Sequence, residues 1–184
     1  MLLPNGDCVW KDLSTFFVDI RKLMQYIRTY DFDGYIYCKF KHEKAAIFLE
    51  EGDSVCGVIE SDGRQKRGME IVKHVLDQIN KESNIYLDIY SLPNRSVKII
   101  TELFLEQTKI FQTNLSADFF DIESYINNHL NKTDFNGFVE IKFQNGEEAI
   151  VSLNNGTLNS IVTSSLQTRK DKAKKNELKV FDIY

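Results

Sequence analysis

The residues able to carry covalent or metal chemistry are few and scattered. Cys8, Cys38 and Cys56 are the three cysteines. They are odd in number, widely spaced and all in the first half, and no Cys-x-x-Cys pair occurs, so neither a zinc site nor a disulfide framework is supported. Cys56, followed by Gly57, needs a base beside it to act as a nucleophile, and its twin in the repeat described below is Ser160. His42, His74 and His129 fall in an expected turn, helix and helix end. None is spaced with another His, Cys or carboxylate as metal sites require, and they read as surface histidines. No nucleophile elbow, Walker loop or dinucleotide fingerprint is present. Two basic clusters remain: Arg64, Lys66 and Arg67, and then Arg169, Lys170, Lys172, Lys174 and Lys175. Such clusters hold phosphates or anionic partners. The plainer reading is a solvated helix start and a solubilising loop.

The totals narrow the classes. A net charge of −4 over 184 residues lacks the basic stripe of a nucleic-acid binder. A hydrophobic fraction of 42% with 12% aromatic residues is that of a globular protein. No apolar run approaches the roughly 20 residues a membrane span requires. No charged stretch followed by an apolar one marks a signal peptide, and unpaired cysteines make a reducing cytoplasm the simplest location.

What must position any site is a stretch written twice. Leu13-Ser14-Thr15-Phe16-Phe17-Val18-Asp19-Ile20 recurs as Leu115-Ser116-Ala117-Asp118-Phe119-Phe120-Asp121-Ile122. Asp31-Phe32-Asp33-Gly34-Tyr35 recurs as Asp134-Phe135-Asn136-Gly137-Phe138, and Asp88-Ile89-Tyr90 as Asp182-Ile183-Tyr184. The expected fold is α+β: two tandem copies of a helix plus a four-stranded antiparallel sheet, in the order α-β-β-β-α-β. The second copy has its second helix reduced or missing. Residues 1–92 form the first module with an N-terminal lead-in, 93–113 a linker helix, and 114–184 the second, shortened copy.

In each copy a Ser cap (Ser14, Ser116) starts a helix, with Phe16, Phe17, Ile20, Leu23, Met24 and Ile27 on its buried stripe. Asp19 and Asp121 suit the helix dipole. The Phe-x-Gly turn follows, then three strands, from Tyr35 to Phe40, Ala45 to Leu49 and Ser54 to Ile59. The twins are Phe138 to Phe143, Ala149 to Leu153 and Thr157 to Val162, with Asn145-Gly146 as a hairpin signal. Copy one continues with a helix from Arg64 to Lys81 and a strand from Asn84 to Tyr90. Copy two has only the polar segment Leu166 to Asn176. Lys39 and Lys142 read as a solvated sheet face, and Trp10 as packing. Between the copies, Asn94 caps a helix running to about Phe111. Val97, Ile100, Phe104 and Phe111 form one apolar row, and Ile99, Leu103, Leu105 and Ile110 a second. A helix apolar over so much of its girth is buried on more than one side. It is expected to bridge the copies and to offer Val97, Ile100, Phe104 and Phe111 to a partner.

The order helix, Phe-x-Gly turn, three strands, helix, strand resembles the PATAN-like domain of bacterial signalling proteins, in two tandem copies. The resemblance rests on Phe32-Asp33-Gly34, Ala45 to Gly52, Val58 and Gly68-Met69-Glu70, and in copy two on Phe135-Asn136-Gly137 and Ala149 to Gly156. Copy two departs from it where the second amphipathic helix should be. The resemblance implies a stand-alone, non-enzymatic interaction or scaffold module in bacterial signalling, polarity or motility, without catalytic residues or cofactors. A protein partner is expected, with a homodimer as one form of it; no membrane and no nucleic acid are expected. The alternative is a binder of an anionic small molecule such as a nucleotide, or of nucleic acid, through Arg64, Lys66, Arg67, Arg169, Lys170 and Lys172. An enzyme using Cys56 or a cross-copy site is the third reading.

Overall fold

A computed structural model describes residues 3–82, 84–105, 109–116, 121–143, 148–164 and 177–182. They form two compact units, Gly6–Leu105 and, together with the segment Leu2–Asn5, Glu106–Tyr184. Both are α+β, and every strand pairing within them is antiparallel.

The first unit runs β1 (Asp7–Ser14), α1 (Ile20–Thr29), β2 (Gly34–Lys39), β3 (Glu43–Glu50), β4 (Asp53–Ser61), β5 (Arg64–Gly68), α2 (Met69–Lys81), β6 (Tyr86–Ser91) and α3 (Asn94–Leu105). Its sheet has six strands, in the order β1-β6-β2-β3-β4-β5. Helices α1 and α2 cover one face: Ile20, Leu23, Ile27, Val72, Val75 and Ile79 pack on Ile36, Cys38, Ala45, Ile47, Leu49 and Leu87. Alternate strand residues point to the opposite face, where α3 lies and Phe104 sits edge-on to Phe48 with ring centroids 5.6 Å apart. With cover on both faces, the run Ala45 to Leu49 is buried without a break, as expected for a strand sandwiched between two layers.

The second unit runs β7 (Lys109–Ser116), α4 (Ile122–Tyr125), a π-helical stretch Ile126–Leu130, a 3-10 turn Asn131–Thr133, β8 (Gly137–Lys142), β9 (Glu148–Asn154), β10 (Thr157–Ser164) and β11 (Glu177–Asp182). Its five strands stand in the order β10-β9-β8-β11-β7. Leu130, Phe135, Val139, Ile141, Ala149, Val151 and Leu153 form its core, with Tyr125 and Ile126 against it. The Asn5 amide donates to the Thr163 carbonyl at 2.9 Å, which ties the start of the chain to this unit.

Several expectations are corrected. Neither sheet has four strands, because β1 and β5 add two to the first sheet and β7 adds one to the second. Ser14 does not start a helix. It ends β1, opposite Tyr86 in the β1–β6 pairing. The cap is Asp19, whose carboxylate accepts from the Arg21 and Lys22 amides at 2.8 and 3.3 Å. Asp121 does the same for the Ser124 amide at 3.3 Å. Replacing Asp19 with Ala is expected to lower stability by about 1 kcal/mol, read as a shift in the urea midpoint; no shift would mean that α1 is held by packing alone.

Residues 64–68 are strand rather than helix. Asp62 and Gly63 both have positive φ, 50° and 75°, which is the two-residue turn that matches strand twist. It folds Arg64 back against Ser61, and the helical stripe begins only at Met69. The helix after Asn94 stops at Leu105, and Ile110 and Phe111 lie on β7. The echo of Asp88-Ile89-Tyr90 in the last residues is out of register: Gly34 faces Ser91, whereas Gly137 faces Asp182. The turn at Asn145-Gly146 and the segment Leu166 to Asn176 lie outside the described residues.

The Phe-x-Gly turns are built alike. The Asp33 carboxylate accepts from the Glu51 amide at 2.9 Å, and the Asn136 side-chain oxygen from the Asn155 amide at 2.8 Å. The Phe32 and Phe135 carbonyls accept from the Gly52 and Gly156 amides at 2.9 and 2.8 Å.

Candidate functional site

The residues between β1 and α1 form a pinned turn. The Thr15 amide donates to the Ile85 carbonyl at 2.9 Å, and the Ile85 amide returns a bond to the Thr15 hydroxyl at 3.1 Å. The Phe17 and Val18 amides donate to the Ser14 carbonyl at 3.0 and 3.1 Å. The Phe16 amide donates to the Ser14 hydroxyl at 3.3 Å. At the far end Asp19 caps α1. Backbone held at both ends loses little entropy when something docks on it.

On this scaffold Phe16 and Phe17 point outward, 70% and 84% exposed. Their rings pack edge to face with centroids 4.9 Å apart. Tyr86, half exposed, stands beside them at the start of β6. Phe16 and Val18 both line two hollows. One lies between α1 and the end of α2 and is lined by Val18, Ile20, Arg21, Ile79 and Glu82. The other lies between the end of β1 and the start of β6 and is lined by Leu13, Val18, Asn84 and Tyr86. Two adjacent Phe thus stand exposed on a turn whose backbone is hydrogen-bonded at both ends.

This overturns the expectation that Phe16 and Phe17 belong to a buried helical stripe. The signal in the sequence was the pair of competing caps, Ser14 and Asp19. With Asp19 chosen, both rings fall outside the helix. The corresponding Phe119 and Phe120 lie outside the described residues.

The sites expected from sequence fare differently. Val97, Ile100 and Phe104 are buried in the first unit, where α3 meets β3, β4 and β5. Phe104→Glu would therefore place a carboxylate in the core and report on folding rather than on a partner. Phe111 is on β7, and its side chain lies outside the described residues. Arg64 and Lys66 are exposed on β5, the sheet edge, where cations block strand-to-strand association. Arg67 lies over the Phe104 ring, 4.4 Å from its centre. Arg169, Lys170 and Lys172 lie outside the described residues.

Two polar expectations also shift. Lys39 is no solvated spectator: its ammonium pairs with Asp88 at 2.6 Å and Asp12 at 2.9 Å. Lys142 stands 3.9 Å from Glu140. Trp10 packs at the edge of the core and starts an aromatic row with Tyr26 and Tyr30, at centroid spacings of 5.9 and 4.8 Å.

Cys38 and Cys56 are buried and Cys8 is exposed; none is bonded to another. Burial pushes the Cys56 pKa up, ahead of a lowering by the Gly68 amide, so at neutral pH it is a thiol, and it donates to the Gly57 carbonyl at 3.5 Å. A thiol reagent should label Cys8 within minutes and the other two only on unfolding. Three equally fast labels would contradict this burial. Among the described residues no group of three His, Cys, Asp or Glu could hold a metal ion, and no helix is long and apolar enough to cross a membrane.

The family described as "Uncharacterized protein conserved in archaea (DUF2226)" matches residues 1–104. No curated protein and no solved structure matches. The family match overturns the resemblance to the PATAN-like domain of bacterial signalling proteins. The shared features, Gly positions and apolar spacing, are what any helix-and-hairpin module needs, so they did not discriminate between families.

Proposed function

We propose, for a chain that belongs to this uncharacterised family conserved in archaea, a non-enzymatic docking role in which the Phe16–Phe17 turn is the contact point. The observation that carries it is the exposure of both rings on a backbone fixed by hydrogen bonds at each end. A Phe left in water forgoes about 2 kcal/mol that burial would supply. Surface apolar groups of this size, side by side and rigidly presented, mark interaction sites.

The two units are read as copies of one module. That reading is supported by their matching strand orders, β1-β6-β2-β3-β4 against β7-β11-β8-β9-β10, and by the two turns of identical bonding. Copies that keep turn and core residues, and no common reactive group, suit a scaffold better than a duplicated active site. The unpaired cysteines favour a reducing compartment such as the cytoplasm.

The test is a comparison of captures from the native cell. The full chain is used as bait beside Phe16→Ser/Phe17→Ser, with melting temperature as the control for folding. Proteins retained by the first and lost from the second support the reading. Identical captures from both baits would sink it.

A further inference from the structure

We infer that the outer edge of β10 is a strand-docking site, and that residues 3–5 of this chain occupy it, in the place β5 holds in the first sheet. Those residues belong to the second unit. The inference is independent of the Phe16–Phe17 reading.

The sequence of β10 calls for a neighbour. It is the end strand of its sheet, with β9 on one side. Its eight residues, Thr157–Ser164, hold no charge and no proline, and Leu158 and Ile161 on it are half exposed. A register shift between Leu158 and Ser160 breaks the first half, but residues 160–164 pair with β9 without interruption. A long uncharged edge pairs with whatever extended chain it meets. The first sheet ends differently, on β5 with its exposed Arg64 and Lys66.

The pairings show what fills the place. In the first sheet Ile59 on β4 has Ala45 of β3 on one side and Lys66 of β5 on the other. In the second, Thr163 on β10 has Ala149 of β9 on one side. On the other, its carbonyl accepts from the Asn5 amide at 2.9 Å. Ala45 and Ala149 hold matching places, opposite Cys38 and Ile141, the fifth residues of β2 and β8. Asn5 therefore stands where Lys66 stands.

Pro4 suits this position. Extended backbone, which a residue before proline favours, turns successive N–H groups to opposite sides of the strand. With the Asn5 N–H aimed at β10, the Pro4 nitrogen faces away from it, where its lack of a hydrogen costs no ladder bond. The same lack denies a further strand a donor, so the segment ends the sheet. Pro4 is itself buried. Any other extended peptide that pairs with this stretch of β10 must first lift residues 3–5.

Amide hydrogen exchange of the full chain, followed residue by residue, tests this. The Asn5 amide is expected to exchange at least about 10-fold more slowly than an unstructured one. Asn5→Pro removes the donor and is expected to speed exchange across residues 160–164 about 5-fold, with rates in β2, β3 and β4 unchanged. Asn5→Ala keeps the N–H and should match the natural chain. An Asn5 amide that exchanges at the unstructured rate overturns the proposal, and this measurement decides even where Asn5→Pro unfolds the second unit. Natural rates across 160–164 in a folded Asn5→Pro also overturn it. So does Asn5→Ala exchanging as fast as Asn5→Pro, which would make the side chain the tie.

Discussion

Gly34→Ala is expected to unfold the first unit, at a cost of about 4 kcal/mol or more. Gly34 opens β2, the strand between β6 and β3 near the middle of the six-stranded sheet. Its φ of +156° lies in a region that side chains avoid, and an added Cβ would overlap the Tyr90 carbonyl oxygen and come within 2.8 Å of the Phe32 ring and 3.0 Å of the Ser91 Cα. Two of those three neighbours are backbone of the paired strand β6, so no rotamer change relieves the clash. Relief requires separating β2 from β6. Gly63 supplies the control. It has φ +75° but nothing within 4 Å of the added Cβ, so Gly63→Ala carries the conformational strain alone, about 1 kcal/mol. Urea midpoints of the two variants separate the effects. Equal losses at both positions would show that close approach at Gly34 is not what constrains it.

Asp88→Ala is expected to cost about 3 kcal/mol, a value set below the fully buried case because its partner is partly in water. The Asp88 side chain is 3% exposed and takes the Lys39 ammonium at 2.6 Å. It also accepts the Asp12 amide at 2.7 Å. Removing it strands a donor at the β1 bulge and leaves a half-buried cation with Asp12 alone. Lys39→Met/Asp88→Leu should recover much of the loss, because both charges go together; the Asp12 amide still lacks its acceptor. If the double variant is as unstable as the single one, packing rather than charge explains the site.

The same group of charges sets a pH response. Burial acts to lower the Lys39 pKa, and hydrogen bonds to Asp88 and Asp12 outweigh it, so the ammonium is pushed up to about 12. A raised folded-state value contributes stability that is complete below the unfolded value of about 10.4. That stability is lost as pH climbs from there through about 12. The hydrogen bond from Lys39 holds the Asp12 carboxyl below its ordinary range, which adds stability above about pH 4 that fades in acid. Stability measured against pH should therefore fall more steeply above pH 10 in the natural chain than in Lys39→Met. Parallel curves would remove Lys39 from the account.

The residues determined a good deal unaided. The apolar alternation and Gly-bearing turns specified β2, β3 and β4 and their counterparts β8, β9 and β10, because hairpins depend on neighbours a few residues away. Met69 to Ile79 specified the body of α2 by helical spacing.

What the sequence could not settle was decided by segments far apart in the chain. Ser14 and Asp19 are both competent caps. The choice fell to Asp19 because β6, more than 70 residues on, pairs with Leu13 and Ser14 and holds the Thr15 turn through Ile85. That one choice turned Phe16 and Phe17 from core into surface. In the same way Phe104, on a helix apolar over much of its girth, was claimed by Phe48 and the second face of the sheet. Local propensity sets what a segment can form; which of its apolar groups stay in water depends on which distant strand reaches it first.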